Sequence, residues 1–125
     1  MKKLNLLFTP IRISGMEVRN RIVMAPMSSN LGSTEGYVTP VMIRYYADRA
    51  RGGVGLIVTG DVGVVPKAKY QRRSLCLYDD RFIPGWKELA RDAHNHGARI
   101  VPQFIHPSFN AHSSLSGIQP VAASP

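Results

Sequence analysis

Three stretches of the chain hold side chains whose types could act together: Ala25-Pro26-Met27-Ser28, Thr59-Gly60-Asp61 and Gln103 through His106. The small residues and the proline (Ala25, Pro26, Gly60) let a flat ring lie against backbone. The Gln103 carboxamide offers a donor and an acceptor in one plane, matching the alternating edge of a pyrimidine-like ring. The Ser28 hydroxyl can hydrogen-bond a ring oxygen or nitrogen and so adjust a redox potential. Each also has a plainer use: Gln103 can satisfy neighbouring backbone groups, and Ser28 can cap a turn.

Other constellations fail on spacing. Gly53-Val54-Gly55 hints at a dinucleotide loop, but a phosphate loop follows a strand and opens a helix, and these glycines precede an apolar run. They read as a helix terminus. His94 and His96 stand two apart in a helical stretch, about 200° around its axis, and cannot share a metal. His106 and His112 fall in or near the third stretch without a recognisable partner. Cys76, flanked by Leu75 and Leu77, reads as packing rather than nucleophile. One cysteine excludes an internal disulfide or cysteine-based zinc site and suits a reducing compartment.

The elements that must position these residues follow from periodicity. Ile11-Arg12-Ile13 and Met16-Glu17-Val18 alternate around Ser14-Gly15, a short hairpin with Gly15 supplying the positive φ. Ile22-Val23-Met24-Ala25, Gly55 to Thr59 and Arg99 to Ile105 read as buried strands of a parallel sheet. Between them lie two helices. The first is capped by Thr39-Pro40, runs to about Ala50 and stops at Gly52-Gly53. The second is capped by Asp79 or Asp80, presents Trp86, Leu89, Ala90 and Ala93 on one face, and ends at Gly97. Residues 62 to 78 form a long connection, and residues 107 to 125 a Ser/Pro/Ala-rich loop.

Strand, helix, strand, helix, strand is an α/β order with right-handed crossovers. It makes either the edge of a doubly wound sheet or an arc of a barrel, and composition does not choose between them. In both, reactive residues gather where parallel strands end, so the three stretches converge on one rim. No linker divides the chain, which reads as one unit over residues 1–125.

The composition is that of a folded protein: 44% hydrophobic, 19% charged. Sixteen Lys and Arg against eight Asp and Glu give +8, a balance that favours anionic partners. Only Lys67, Lys69, Arg72 and Arg73 cluster, with no aromatic ladder for stacking bases. The cluster is a solvated loop, or else a loop over which an anionic nucleotide or coenzyme passes; a nucleic-acid partner is not expected. The opening Met1-Lys2-Lys3 is basic, but its apolar run stops at Thr9-Pro10, short of the ~7–15 residues of a signal core. No stretch nears the ~20 apolar residues of a membrane span. A cytoplasmic location is expected.

Leu7-Phe8-Thr9-Pro10-Ile11 and Val18-Arg19-Asn20-Arg21-Ile22-Val23-Met24-Ala25-Pro26-Met27 resemble the opening of the Old Yellow Enzyme family of NADH:flavin oxidoreductases. The resemblance continues in order through Tyr45 to Thr59, Gly85-Trp86-Lys87-Glu88-Leu89, His94 to Ala98 and Gln103-Phe104-Ile105-His106. It implies a (β/α)₈ TIM barrel with FMN at its C-terminal mouth. Such a barrel takes about 250 residues, so this chain corresponds to its N-terminal portion: a hairpin and about three βα units, inactive alone.

By position, the resemblance makes Ala25, Pro26, Met27 and Ser28 the loop packed against the flavin. Gly60 becomes a backbone contact, and Gln103 the glutamine on the pyrimidine edge. Asn30 stands where some relatives place a substrate-facing residue. The implied activity is hydride transfer from NADH or NADPH through FMN to an α,β-unsaturated carbonyl. The carbonyl-holding pair, the proton donor and the basic phosphate-binding residues lie later in the family pattern than this chain reaches. Ser28 replaces a frequent Thr or Cys, Ile105 a frequent aromatic residue, and Pro107-Ser108 a frequent Gly-Arg. Ile105 resembles the larger enoate and dienoyl-CoA reductase branch, whose members add an iron-sulfur cluster and FAD in C-terminal regions. A second possibility is a non-catalytic half-barrel that serves assembly or binding. Either way, an open arc of parallel strands needs a covering partner, the rest of the barrel or another copy in a homo-oligomer.

Overall fold

The computed structural model describes residues 5–66, 69–108, 113–117 and 119–122. It opens on an antiparallel hairpin of β1 (Ile11–Ile13) and β2 (Met16–Val18), with Ile11 opposite Val18. The turn departs from expectation. Ser14 holds the positive φ, 53°, and Gly15 does not. A short polar side chain tolerates that left-handed region better than most.

The remaining strands form one parallel sheet. β3 is only Val23–Met24, shorter than Ile22 to Ala25, and pairs with β4 (Leu56–Gly63) at Val23↔Leu56 and Met24↔Ile57. β6 (Arg99–Ile105) has the extent expected and takes the other edge of β4. β4 itself runs on past Thr59 to Gly63 because it acquires a partner there. That partner, β5 (Leu75–Cys76), pairs with Val62 and Gly63 from inside the connection read as strandless. Its two residues are fully buried, and the Cys76 N–H donates to the Gly36 carbonyl at 3.0 Å.

α1 (Pro40–Arg51) begins and ends as its sequence dictates. Thr39 Oγ1 accepts from the Met42 N–H at 3.2 Å, and Gly53 turns the chain out at φ 103°. Asp79 caps a 3₁₀ turn (Asp80–Phe82) that leads into α2 (Ile83–Asn95). On α2, Leu89 and Ala93 are buried and Trp86 and Ala90 half-buried. One short helix, α3 (Ser113–Ser116), stands in the tail read as loop.

Both helices lie on the same side of the sheet. Met42, Tyr46 and Ala50 of α1 and Leu89 of α2 share one core with Ile57 and Val62 of β4. Met24 and Ile100, the register partners of Ile57, pack against that core. Val23, one residue away on the opposite face, is 51% exposed. A doubly wound sheet carries helices on both faces, whereas a barrel carries them only outside. The sheet is an arc of a barrel.

The lower, N-terminal end is tied by Arg19-Asn20. Arg19 donates to the carbonyls of Ala50 (2.6 Å) and Val54 (2.9 Å), and Asn20 to that of Gly53 (2.8 Å). The Asn20 side-chain oxygen accepts from the Ile22 N–H at 3.1 Å. Four bonds from two side chains thus fix the end of α1 and the start of β4 to β3.

Candidate active site

Position starts from a proline. Pro102 sits inside β6, where it has no N–H for the ladder, and prolines within sheets are confined to edges and bulges. The register obeys: Val58 faces Val101 and Asp61 faces Gln103, so Thr59 and Gly60 together oppose Pro102. The Thr59 side chain spans the irregularity. Its Oγ1 accepts from the Gln103 N–H at 3.4 Å and donates to the Gly60 carbonyl at 3.0 Å. Such bulges redirect side chains beside functional sites. Here the bulge sets Asp61 level with Gln103 at the C-terminal edge of the strands.

The loop after β3 closes on that bulge. A Cβ on Gly60 would lie 2.4 Å from the Met27 carbonyl oxygen and 2.9 Å from Ser28 Cα, so only glycine permits this approach. On the other side, the Gly60 N–H donates to the Tyr46 hydroxyl at 3.1 Å. Burial pushes the Tyr46 phenol above its ordinary pKa, and it stays neutral. Gly60 is thereby held between α1 and the Met27–Ser28 backbone.

Five of the seven residues singled out from sequence meet at this rim as described: Ala25, Pro26 and Met27 exposed after β3, Ser28 half-buried against β4, Gly60 buried beneath them. Met27 is 65% exposed. Gln103 is exposed in the C-terminal half of β6, one strand away. Asn30 differs in kind. It has a positive φ of 54°, and its side-chain oxygen accepts from the Arg73 N–H at 2.9 Å, tying the loop after β3 to the segment before β5.

Asp61 belongs to the Thr59-Gly60-Asp61 stretch expected at the rim, but the sequence assigned it no role there. It is 7% exposed, and Oδ1 accepts a hydrogen bond from the Ser28 hydroxyl. Oδ2 is buried without a partner among the described residues. A cavity of about 10 Å³, room for about one water, adjoins it and is lined by Asn30, Tyr46, Gly60, Asp61, Arg73 and Ser74 among others. The sequence signal for the irregularity is Pro102, a proline in mid-strand, which lies opposite the bulge that sets Asp61 level with Gln103.

The remaining candidates behave as their sequence contexts dictate. Cys76 is 1% exposed, and burial raises its thiol pKa. Arg72 and Arg73 are exposed, and the Lys69 ammonium donates to the Thr34 carbonyl; Lys67 lies outside the described residues. His94 is exposed, and the His106 Nδ1 accepts from the Ser108 N–H at 3.2 Å; His112 lies outside the described residues. Among the described residues, no three His, Cys, Asp or Glu side chains group as metal ligands. No helix of theirs is long and apolar enough to cross a membrane.

Residues 6–125 match the NADH:flavin oxidoreductase / NADH oxidase family. The chain belongs to that family. It is 44% identical over 121 residues to an NADH oxidase of Thermoanaerobacter brockii, covering 95% of this chain and 19% of the relative. The structure superposes on an Old Yellow Enzyme homologue from Zymomonas mobilis with a TM-score of 0.86 at 30% identity, over 94% of this chain and 33% of that one. It is similar also to a 2-naphthoyl-CoA reductase, with a TM-score of 0.85, 30% identity, and 91% and 17% coverage. The chain therefore spans about a fifth of the curated relative's length and matches the N-terminal part of these barrels. Members of the NADH:flavin oxidoreductase / NADH oxidase family are oxidoreductases that use flavin and nicotinamide, and the arc of sheet and its rim belong to that architecture.

Proposed function

We propose that this chain forms the first three βα units of an FMN-dependent NAD(P)H oxidoreductase of the ene-reductase type. The observation that carries the reading is the rim itself. On a sheet whose helices lie on one side, Ala25 to Ser28 follow β3, and Gly60 and Gln103 lie in the C-terminal halves of the neighbouring parallel strands β4 and β6. The residues fit a flavin: exposed apolar groups at Ala25, Pro26 and Met27 offer a low ledge, and Gly60 lets that ledge sit directly on β4.

Bound FMN would supply hydride acceptance from NADH or NADPH and hydride delivery to an α,β-unsaturated carbonyl. The chain's own work is placement. The ledge excludes water from one face of the ring, and the exposed Gln103 carboxamide meets the polar edge with a donor and an acceptor. Thr59 holds the Gln103 backbone, and Tyr46 holds that of Gly60, so both contacts are preorganised rather than recruited on binding. Asn30, exposed and tied to the Arg73 N–H through its side-chain oxygen, keeps its amide hydrogens free to meet a substrate at the rim.

The whole enzyme reads as cytoplasmic. It covers the open face and edges of this arc with the rest of its own barrel. The smaller share covered of the NADH oxidase than of the Old Yellow Enzyme homologue reflects a longer polypeptide, and Ile105 favours the same larger branch, with FAD and an iron-sulfur cluster outside this chain.

The test is Gln103→Ala in the full-length protein. Flavin occupancy per polypeptide should fall severalfold while the fold persists by circular dichroism. Unchanged occupancy would remove Gln103 from the site. NAD(P)H should bleach the bound flavin of the wild type, and an enone should restore its absorbance.

A further inference from the structure

Two arginines stand beside the rim without a partner. Residues Gln71 to Ser74 make a tight turn: the Ser74 N–H donates to the Gln71 carbonyl at 3.2 Å, and the Gln71 N–H to the Ser74 hydroxyl at 2.8 Å. Arg72 and Arg73 are its two central residues, and both are exposed. Their backbone is fixed from three sides. The Arg73 N–H donates to the Asn30 side-chain oxygen, and a Cβ on Gly32 would lie 2.6 Å from the Arg73 carbonyl oxygen. Ser74 is buried and leads directly into β5, which pairs with the end of β4. Arg73 also lines the small cavity that adjoins Asp61, so the turn lies next to the rim. Among the described residues, neither guanidinium takes part in an ion pair or a side-chain hydrogen bond. Lys69 differs. Its ammonium donates to the Thr34 carbonyl, and, after the hydroxyls of Thr34 and Ser33, its charge helps hold the Glu35 carboxyl below its ordinary pKa.

We propose that Arg72 and Arg73 form a phosphate subsite, holding the phosphomonoester of an adenosine-bearing ligand whose other end reaches the flavin. The identity of that other end rests on the flavin reading above. A guanidinium is a planar fork of N–H donors that meets two phosphate oxygens at once. A phosphomonoester carries about two negative charges at neutral pH and three acceptor oxygens, so two neighbouring forks match it better than they match a carboxylate. The turn backbone is already ordered, which lowers the entropy lost on binding. Two ligands of a flavin-dependent reduction carry such a group on an adenosine ribose, away from the reacting end. One is NADPH, which differs from NADH by that phosphate alone; the other is an acceptor delivered as a coenzyme A thioester. The chemistry asked of the turn is the same for both.

The experiment is calorimetric titration of the full-length holoenzyme at low ionic strength, where exposed charges are least screened. The probes are adenosine 2′,5′-bisphosphate, which copies the phosphorylated end of NADPH, adenosine 3′,5′-bisphosphate, which copies that of coenzyme A, and AMP, which lacks the second phosphate. At least one bisphosphate should bind more tightly than AMP. Its affinity should fall by about tenfold or more in the Arg72→Gln/Arg73→Gln double variant, the loss expected when a charge-assisted contact is removed. A preference for the first bisphosphate assigns the subsite to NADPH, and a preference for the second assigns it to a coenzyme A thioester. Flavin occupancy of the double variant should match the wild type, which also shows that the variant folds. Bisphosphates that bind no better than AMP, or equally well to the double variant, overturn the proposal. So does a loss of flavin from a folded double variant, which would give the arginines to the FMN phosphate instead. A wild-type protein that binds no flavin overturns the functional reading beneath it, while the bisphosphate titration still reads the arginines on their own.

Discussion

At the residue scale, the rim depends on contacts too close to tolerate one added carbon. Gly60→Ala places a methyl group 2.4 Å from the Met27 carbonyl oxygen, against backbone that has no rotamer to change. We expect a loss of about 1–3 kcal/mol, typical of overpacking, together with reduced flavin retention; denaturant titration and flavin absorbance measure the two. Tyr46→Phe removes the acceptor for a buried N–H and should cost about 1–3 kcal/mol, with the Gly60 amide exchanging faster in deuterium exchange. The Cys76 thiol is shielded in the same way. Burial holds its pKa above the unfolded value of about 8.5, so the unfolded chain releases this proton first as pH rises. The associated stability is intact below that pH and is lost as pH climbs toward the folded value. A thiol-specific chromogenic reagent at neutral pH should leave native Cys76 untouched until denaturant is added.

At the element scale, the sequence is most informative where one residue decides a boundary. Thr39, Gly53 and Gly97 set helix ends by capping chemistry, and α1 and α2 lie where those residues put them. β6 matches its apolar run from Arg99 to Ile105. β5 was not legible, because two residues carry no periodicity and their pairing with Val62 and Gly63 exists only once the long connection has folded back. Asp61 was legible as a rim residue, but its register with Gln103 was not: that depends on a bulge, and a bulge is a property of two strands, read from Pro102 on one to Thr59-Gly60 on the other. The Arg19-Asn20 tie was visible as a motif but not as a mechanism, since its acceptors lie more than thirty residues away. Asn20→Ala should cost about 2 kcal/mol, the sum of two ordinary hydrogen bonds, read as a lowered thermal midpoint. It should leave the flavin potential alone, because the tie is at the opposite end of the strands from Gln103.

At the scale of the whole molecule, the arc is unfinished. Val23 is 51% exposed on the helix-free face, and beyond β6 a groove of about 320 Å³ is lined by Leu77, Ile83, Trp86, Ala90, Ile100 and Pro102 with others. The outer edges of β3 and β6 are unpaired among the described strands. Exposed apolar surface of this kind is normally covered. The 125-residue chain alone should bind a hydrophobic dye and self-associate, as sedimentation will register, whereas the complete protein should bind far less. That the helices share one side was not readable from composition, which fits an open sheet equally well; only the burial of Met24, Ile57 and Ile100 against the helices decides it.

The rim's role in holding a flavin is tested most directly by the absorbance of the full-length protein after purification and after incubation with FMN. Flavin bands are expected at close to one FMN per polypeptide, with lower occupancy in Gln103→Ala and Gly60→Ala. A colourless protein that takes up no FMN when supplied with it, while folded, would contradict it.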